Sequence, residues 1–170
     1  MKKGIAILAT GHGKGKTTSA LGQTFRALGH GWKVCFLQFV KGEWPTGEAR
    51  SADKFADQLF FKSLGLGFTW KGEREEHLRA GREAFSFAAE KVVSDEFELV
   101  VLDELTWLVR YQMVTDLEVV ELIEKRPRRL NLMITGRYAT QAVIDACDIV
   151  SEIVPLKYPG DAPAARGIEY

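Results

Sequence analysis

Charge of one sign, cysteine in number and long apolar runs are all missing from this sequence, and each shortage excludes a class of protein. Twenty-three Lys and Arg balance 23 Asp and Glu, giving a formal net charge of zero. With no basic block to follow a phosphodiester backbone, a dedicated nucleic-acid binder is not expected. Cys35 and Cys147 lie far apart and form no C-x-x-C pair, so neither a disulfide framework nor a zinc site is suggested. No stretch approaches the roughly 18 apolar residues of a membrane span. The N-terminus leads straight into a short apolar run, with no signal-peptide core or cleavage site. A cytoplasmic chain with no nucleic-acid or membrane partner is the expectation.

What is present fits one domain spanning residues 1–170. The chain is 46% hydrophobic and 27% charged, and a chain of this length buries enough surface to fold without a staple. Four short runs, Ile5 to Ala9, Val34 to Val40, Leu99 to Leu102 and Leu130 to Thr135, are nearly continuous in aliphatic residues, and Ile149 to Val154 is a fifth candidate. Such runs are the mark of strands buried on both faces of a parallel sheet. Between them, Thr17 to Leu28 and Glu73 to Ser94 carry apolar residues three and four apart, which predicts crossover helices. The pattern predicts an α/β fold: three layers, with a mostly parallel central sheet flanked by helices and right-handed crossovers. Lys41 to Trp70 is broken by glycines and Pro45 and reads as long loops with short helical or strand pieces, a length usually reserved for function.

The first strand runs into Thr10-Gly11-His12-Gly13-Lys14-Gly15-Lys16-Thr17-Thr18, and a helix follows. This matches the end of the phosphate-binding pattern G-x-x-x-x-G-K-[ST], with Thr10 in place of its first glycine, and makes the expected three-layer fold a P-loop NTPase-like (RecA-like) domain. Glycines at 11, 13 and 15 let backbone N–H groups turn inward as an anion nest, and the helix N-terminus adds its dipole. Lys16 supplies a point charge for the terminal phosphates and Thr17 a hydroxyl for a metal. The run Leu99 to Leu102 delivers Asp103 and Glu104 at its end. Taken alone, such an acidic pair is also a common helix N-cap. Beside a phosphate loop, Thr17, Asp103 and Glu104 become a ligand set for Mg²⁺ or Mn²⁺, because ligands in open α/β sheets lie beyond the carboxyl ends of the strands. Arg137 follows the fourth strand on that same side and is a candidate clamp for phosphate or ribose. Arg26 falls inside the first helix and, by position alone, is an exposed helical charge.

Several strings together resemble one family. Gly11 to Thr18, Arg26 to Gly31, Gln38 to Gly42, Gly67-Phe68-Thr69-Trp70, Val100 to Thr106 and Ile134 to Arg137 are similar to the ATP:corrinoid adenosyltransferases of the P-loop type, over nearly the whole chain. The resemblance implies transfer of the 5′-deoxyadenosyl group of ATP to Co(I) of a corrinoid, with release of triphosphate, in cobalamin biosynthesis or salvage. It implies that residues 11–18, Arg26 and Arg137 bind ATP, held in the reverse of the usual P-loop orientation, and that Lys16 and Glu104 serve catalysis. It further implies that Phe68, Trp70 and Lys41 meet the corrinoid, with the aromatic rings displacing its lower axial ligand. An external electron donor and a homodimer are the implied partners. His12 stands where the family often carries Asn, and closure of the site is expected from the Lys41 to Trp70 loops or a second subunit. The competing reading is an ATPase or small kinase acting at the γ-phosphate with Glu104 as general base.

Overall fold

The computed structural model describes residues 3–40, 46–65, 74–159 and 164–169. Six strands make one sheet: β1 (Ala6–Thr10), β2 (Val34–Gln38), β3 (Leu59–Ser63), β4 (Leu99–Asp103), β5 (Asn131–Thr135) and β6 (Ile149–Glu152). Their order is β3-β2-β4-β5-β1-β6, and every pairing among them is parallel. The helices are α1 (Lys16–Gly29), α2 (Gly47–Ala52), α3 (Arg74–Val93), α4 (Thr106–Arg110), α5 (Asp116–Lys125) and α6 (Gln141–Ala146), with a 3-10 turn at Asp53–Phe55 after α2.

The continuous aliphatic character of the central strands is explained by burial on both faces. Every residue of β2 and of β4 is buried, and alternate side chains of each feed two separate cores. Cys35, Leu37, Val100, Leu102, Leu132 and Ile134 meet α3, α5 and α6 on one face. Val34, Phe36, Leu99, Val101 and Met133 meet Ala20, Ala27 and Leu28 of α1 and Ala52 of α2 on the other. These are the three layers expected from the strand and helix alternation.

The stretch read as long loops with short helical or strand pieces contains α2, the 3-10 turn and β3; α2 is started by Thr46, whose hydroxyl accepts from the Ala49 N–H at 3.3 Å. Helix α3 buries the small residues Gly81, Ala84 and Ala88 with Val92, while Phe85 is only partly covered. Helix α5 carries a full capping box, Thr115 with Glu118. The last strand, β6, is exposed along its whole length at the sheet edge.

Candidate active site

The carboxyl ends of β1, β2, β4 and β5 bring Thr10, Gln38, Asp103 and Thr135 to one edge of the sheet. Because β5 lies between β4 and β1, Thr135 stands between the phosphate loop and the acidic pair. All four residues are buried.

The loop from Gly11 to Gly15 turns the chain from β1 into α1. Gly15 occupies the N-cap with φ +127° and offers no side chain to the first helical N–H groups, which leaves them to an anion. Gly11 and Gly13 are needed for a different reason. The chain after β6 crosses directly over them, so that a Cβ at Gly11 would lie 2.5 Å from the Ile153 carbonyl oxygen and one at Gly13 2.8 Å from it. The Gly13 N–H donates to that oxygen at 2.7 Å, and the Ile153 N–H donates to Thr10 O at 2.8 Å. The expected nest is therefore corrected at Gly13, whose N–H is committed to Ile153 and is not offered to phosphate.

Lys16 is buried, and its ammonium donates to Gly13 O at 2.8 Å. Burial is the main influence lowering its pKa, while Glu104 and Asp103 pull it back up and Arg137 adds to the lowering. Thr17 Oγ1 donates to Asp103 Oδ2 at 3.2 Å, which leaves its lone pairs for a cation. Asp103 is held on both oxygens: Thr135 Oγ1 donates to Oδ1 at 2.7 Å, and Gln38 Nε2 donates to Oδ2 at 3.2 Å. Thr135 also accepts from the Glu104 N–H at 2.9 Å, so one buried hydroxyl fixes both acidic residues.

Glu104 adopts φ +62°, an uncommon conformation for a residue with a Cβ and one that clusters at functional sites. Its pKa is raised, first by burial and then by the neighbouring Asp103; Lys16, a hydrogen bond from the Trp107 indole and Arg137 oppose the rise. Its Oε2 is buried with no hydrogen-bond partner. An orphaned carboxylate oxygen on a residue that lines the same cavity as Thr17 suits a hard divalent cation, which takes oxygen ligands and fills its remaining positions with phosphate and water. Among the described residues no cluster of three His, Cys, Asp or Glu exists that could hold a metal by protein ligands alone.

A cavity of ≈ 760 Å³ opens over the loop, within the range of small-molecule sites. His12 to Thr18, Glu104 and Arg137 line its polar part, while Leu21, Phe25, Phe55 and Phe61 line an apolar arm beside α1. Gly167, Ile168 and Glu169 also border it, and Lys14 is drawn to them, donating to Ile168 O at 2.7 Å with Glu169 at 3.5 Å. The sequence reading missed this second closing element.

Two expected contacts are not brought in. Arg26 is exposed and does not line the cavity; Gly11 is packed behind it against Ile153. Lys41, Phe68 and Trp70 lie outside the described residues. His12 is exposed, with its ring 5.0 Å edge-on from Tyr138, which itself has φ +60° and meets Trp107 at 5.7 Å. Gln38, Thr135 and Trp107 were overlooked because their sequence signal is only their place at or just after a strand end.

Comparison with known proteins points to one family. A family model described as ATP:corrinoid adenosyltransferase BtuR/CobO/CobP matches residues 2–170. A protein of Escherichia coli K12 named corrinoid adenosyltransferase is 40% identical over 172 residues, covering 99% of this chain and 87% of that protein. Corrinoid adenosyltransferase CobA of Salmonella typhimurium is 38% identical over 99% of this chain and 87% of its own. A Pseudomonas aeruginosa corrinoid adenosyltransferase is 34% identical, with 99% and 85% covered.

Proposed function

This chain belongs to the ATP:corrinoid adenosyltransferase family, and on that premise we propose how its residues divide the work. The reaction moves the 5′-deoxyadenosyl group of ATP to a corrinoid. The electron pair on Co(I) forms the Co–C bond at C5′, the C5′–O bond breaks, and its electrons leave with the triphosphate. Cobalt in this state is itself a strong nucleophile. The protein therefore needs no activated Ser, Cys or general base; it must orient C5′ and stabilise the departing charge.

Lys16, the first N–H groups of α1 and Arg137 grip the triphosphate, where negative charge grows as the bond breaks. Thr17, Asp103 and Glu104 would hold Mg²⁺ or Mn²⁺, which supplies further charge neutralisation when bound. The observation that carries this reading is the unpartnered, buried Glu104 Oε2 beside the cavity that Lys16 and Thr17 line. Phe68, Trp70 and Lys41 are assigned to the corrinoid on the strength of the family strings around them. His12, Lys14 and Thr18 border the phosphates from the loop, and residues 167–169 close that side.

Neither thiol lines the cavity, and burial pushes Cys35 up to about 12 and Cys147 to about 11. The electron that makes Co(I) is accordingly assigned to an external donor. A homodimer is supported by the exposed apolar edge at β6 and beyond it, with Ile149 46%, Val154 61% and Leu156 98% exposed. Among the described residues no helix is long and apolar enough to cross a membrane, and we place the reaction in the cytoplasm.

The test is a product assay. ATP, Mg²⁺ and a chemically reduced corrinoid should yield adenosylcorrinoid and intact triphosphate in equal amounts. Orthophosphate released without corrinoid-dependent turnover would overturn the assignment in favour of chemistry at the γ-phosphate.

A further inference from the structure

Gln38 is buried to 1% exposure at the last position of β2, opposite Asp103 of β4 in the parallel register. Its amide nitrogen donates to Asp103 Oδ2 at 3.2 Å and to Glu48 Oε1, on α2, at 3.3 Å. A carboxylate can only accept, so two carboxylates converging on one side chain require its NH₂ end to face them both. The amide oxygen accepts from Ser63 Oγ at 3.5 Å, and the Gln38 backbone oxygen accepts from the Leu64 N–H at 2.8 Å. One residue thus touches Asp103, the first turn of α2 and the end of β3.

Those two anchors flank the segments assigned to the corrinoid. Helix α2 follows segment 41–45 with only Thr46 between, and Ser63 precedes segment 66–73 by Leu64 and Gly65. Gly65 packs against the same strand end, where an added Cβ would stand 2.0 Å from Phe39 O. The amide carries no charge and has no chemistry of its own to offer. Its place is a junction.

We propose that Gln38 is a positioning residue that ties the metal-side carboxylate Asp103 to the anchors of the corrinoid-side segments, holding ATP and corrinoid in register for transfer. This rests on the adenosyltransferase reading and on the assignment of Lys41, Phe68 and Trp70 to the corrinoid. In-line attack on C5′ requires two separately bound substrates to meet within reacting distance. A junction that shifts by about 1 Å costs on the order of 100-fold in rate without loosening the grip on either substrate's far end.

The experiment uses the full chain with Gln38→Met, which keeps length and removes both donors. Affinity for inorganic triphosphate with Mg²⁺ and KM for the corrinoid should stay within about twofold of wild type, while kcat for transfer to chemically reduced cobinamide falls about 10- to 100-fold. Glu48→Ala, which cuts the junction at α2, should show the same split. The double variant should be no worse than the more impaired single one, since residues in one network are non-additive. Transfer within about twofold of wild type, triphosphate affinity falling in parallel with rate, or additive losses in the double variant would each overturn the proposal. If Gln38→Met does not fold, Glu48→Ala decides by the same split. Failure of the wild-type chain to form any adenosylcorrinoid would instead sink the functional assignment.

Discussion

Glu104 shows how a residue selected for a site can work against the fold. Burial, aggravated by Asp103, raises its carboxyl pKa above the ordinary Glu value. A folded state that binds a proton more tightly than the unfolded chain loses relative stability as pH rises through the raised pKa. Above that raised pKa, without metal or nucleotide, the ionised Glu104 is therefore a destabilising group. Glu104→Gln keeps the shape and an acceptor for Trp107 but removes the charge. In chelator at pH 8 its Tm should exceed that of wild type, each 1 kcal/mol counting for about 2–4 °C in a chain of this size. The gap should close as pH falls and the wild-type carboxyl protonates. Adenosyl transfer should drop in the same variant. A lower Tm at pH 8 would show that Glu104 is already compensated within the protein.

At the scale of elements, the phosphate loop is as much a packing joint as a binding site. Gly13→Ala would push a Cβ against Ile153, at 2.8 Å from both its carbonyl oxygen and its Cγ2. Relief of that contact must come from the loop or from the chain after β6. Overpacking of this kind costs about 1–3 kcal/mol, and thermal unfolding together with ATP titration should register both lost stability and weaker binding. Gly22, on the exposed face of α1, is the contrast, because an added Cβ meets nothing within 4 Å. Gly22→Ala should stabilise by about 0.5–1 kcal/mol through helix propensity alone and leave transfer unchanged.

The same scale explains what could be read from sequence. Strands β1, β2, β4 and β5 announced themselves because burial on both faces forces aliphatic runs, and α1 because it must present Ala20, Thr24 and Leu28 inward. Strand β3, Leu-Phe-Phe-Lys-Ser, is an edge strand with only Leu59 buried, so its pattern did not stand out from the glycine-broken stretch around it. Lys16, Thr17, Asp103 and Glu104 were legible because chemistry dictates their types. Thr135, Gln38 and Trp107 were not, since a hydroxyl, an amide and an indole at a strand end are ordinary until their partners are seen. Ile153 acts through its backbone, which no side-chain pattern can reveal.

For the molecule as a whole, the location of the grip predicts which part of ATP stabilises the fold. Lys16, Thr17, Glu104 and Arg137 line the phosphate-loop part of the cavity, and Leu21, Phe25, Phe55 and Phe61 line the arm beside α1. Binding to the folded state alone adds about 2.7 kcal/mol at a ligand concentration of 100 Kd. At about 2–4 °C per kcal/mol, saturating Mg·ATP should raise Tm by about 5–11 °C. If the site is built around a leaving group, inorganic triphosphate with Mg²⁺ should reproduce most of that shift, whereas adenosine should give little. Triphosphate should then also inhibit transfer competitively with ATP, because product and substrate share the same grip. Lys16→Ala, which removes the buried ammonium from that end, should abolish both shifts together. Adenosine stabilising more than triphosphate, or Lys16→Ala retaining the ATP shift, would place the binding energy on the nucleoside and remove the basis for treating the loop as a grip on the departing group.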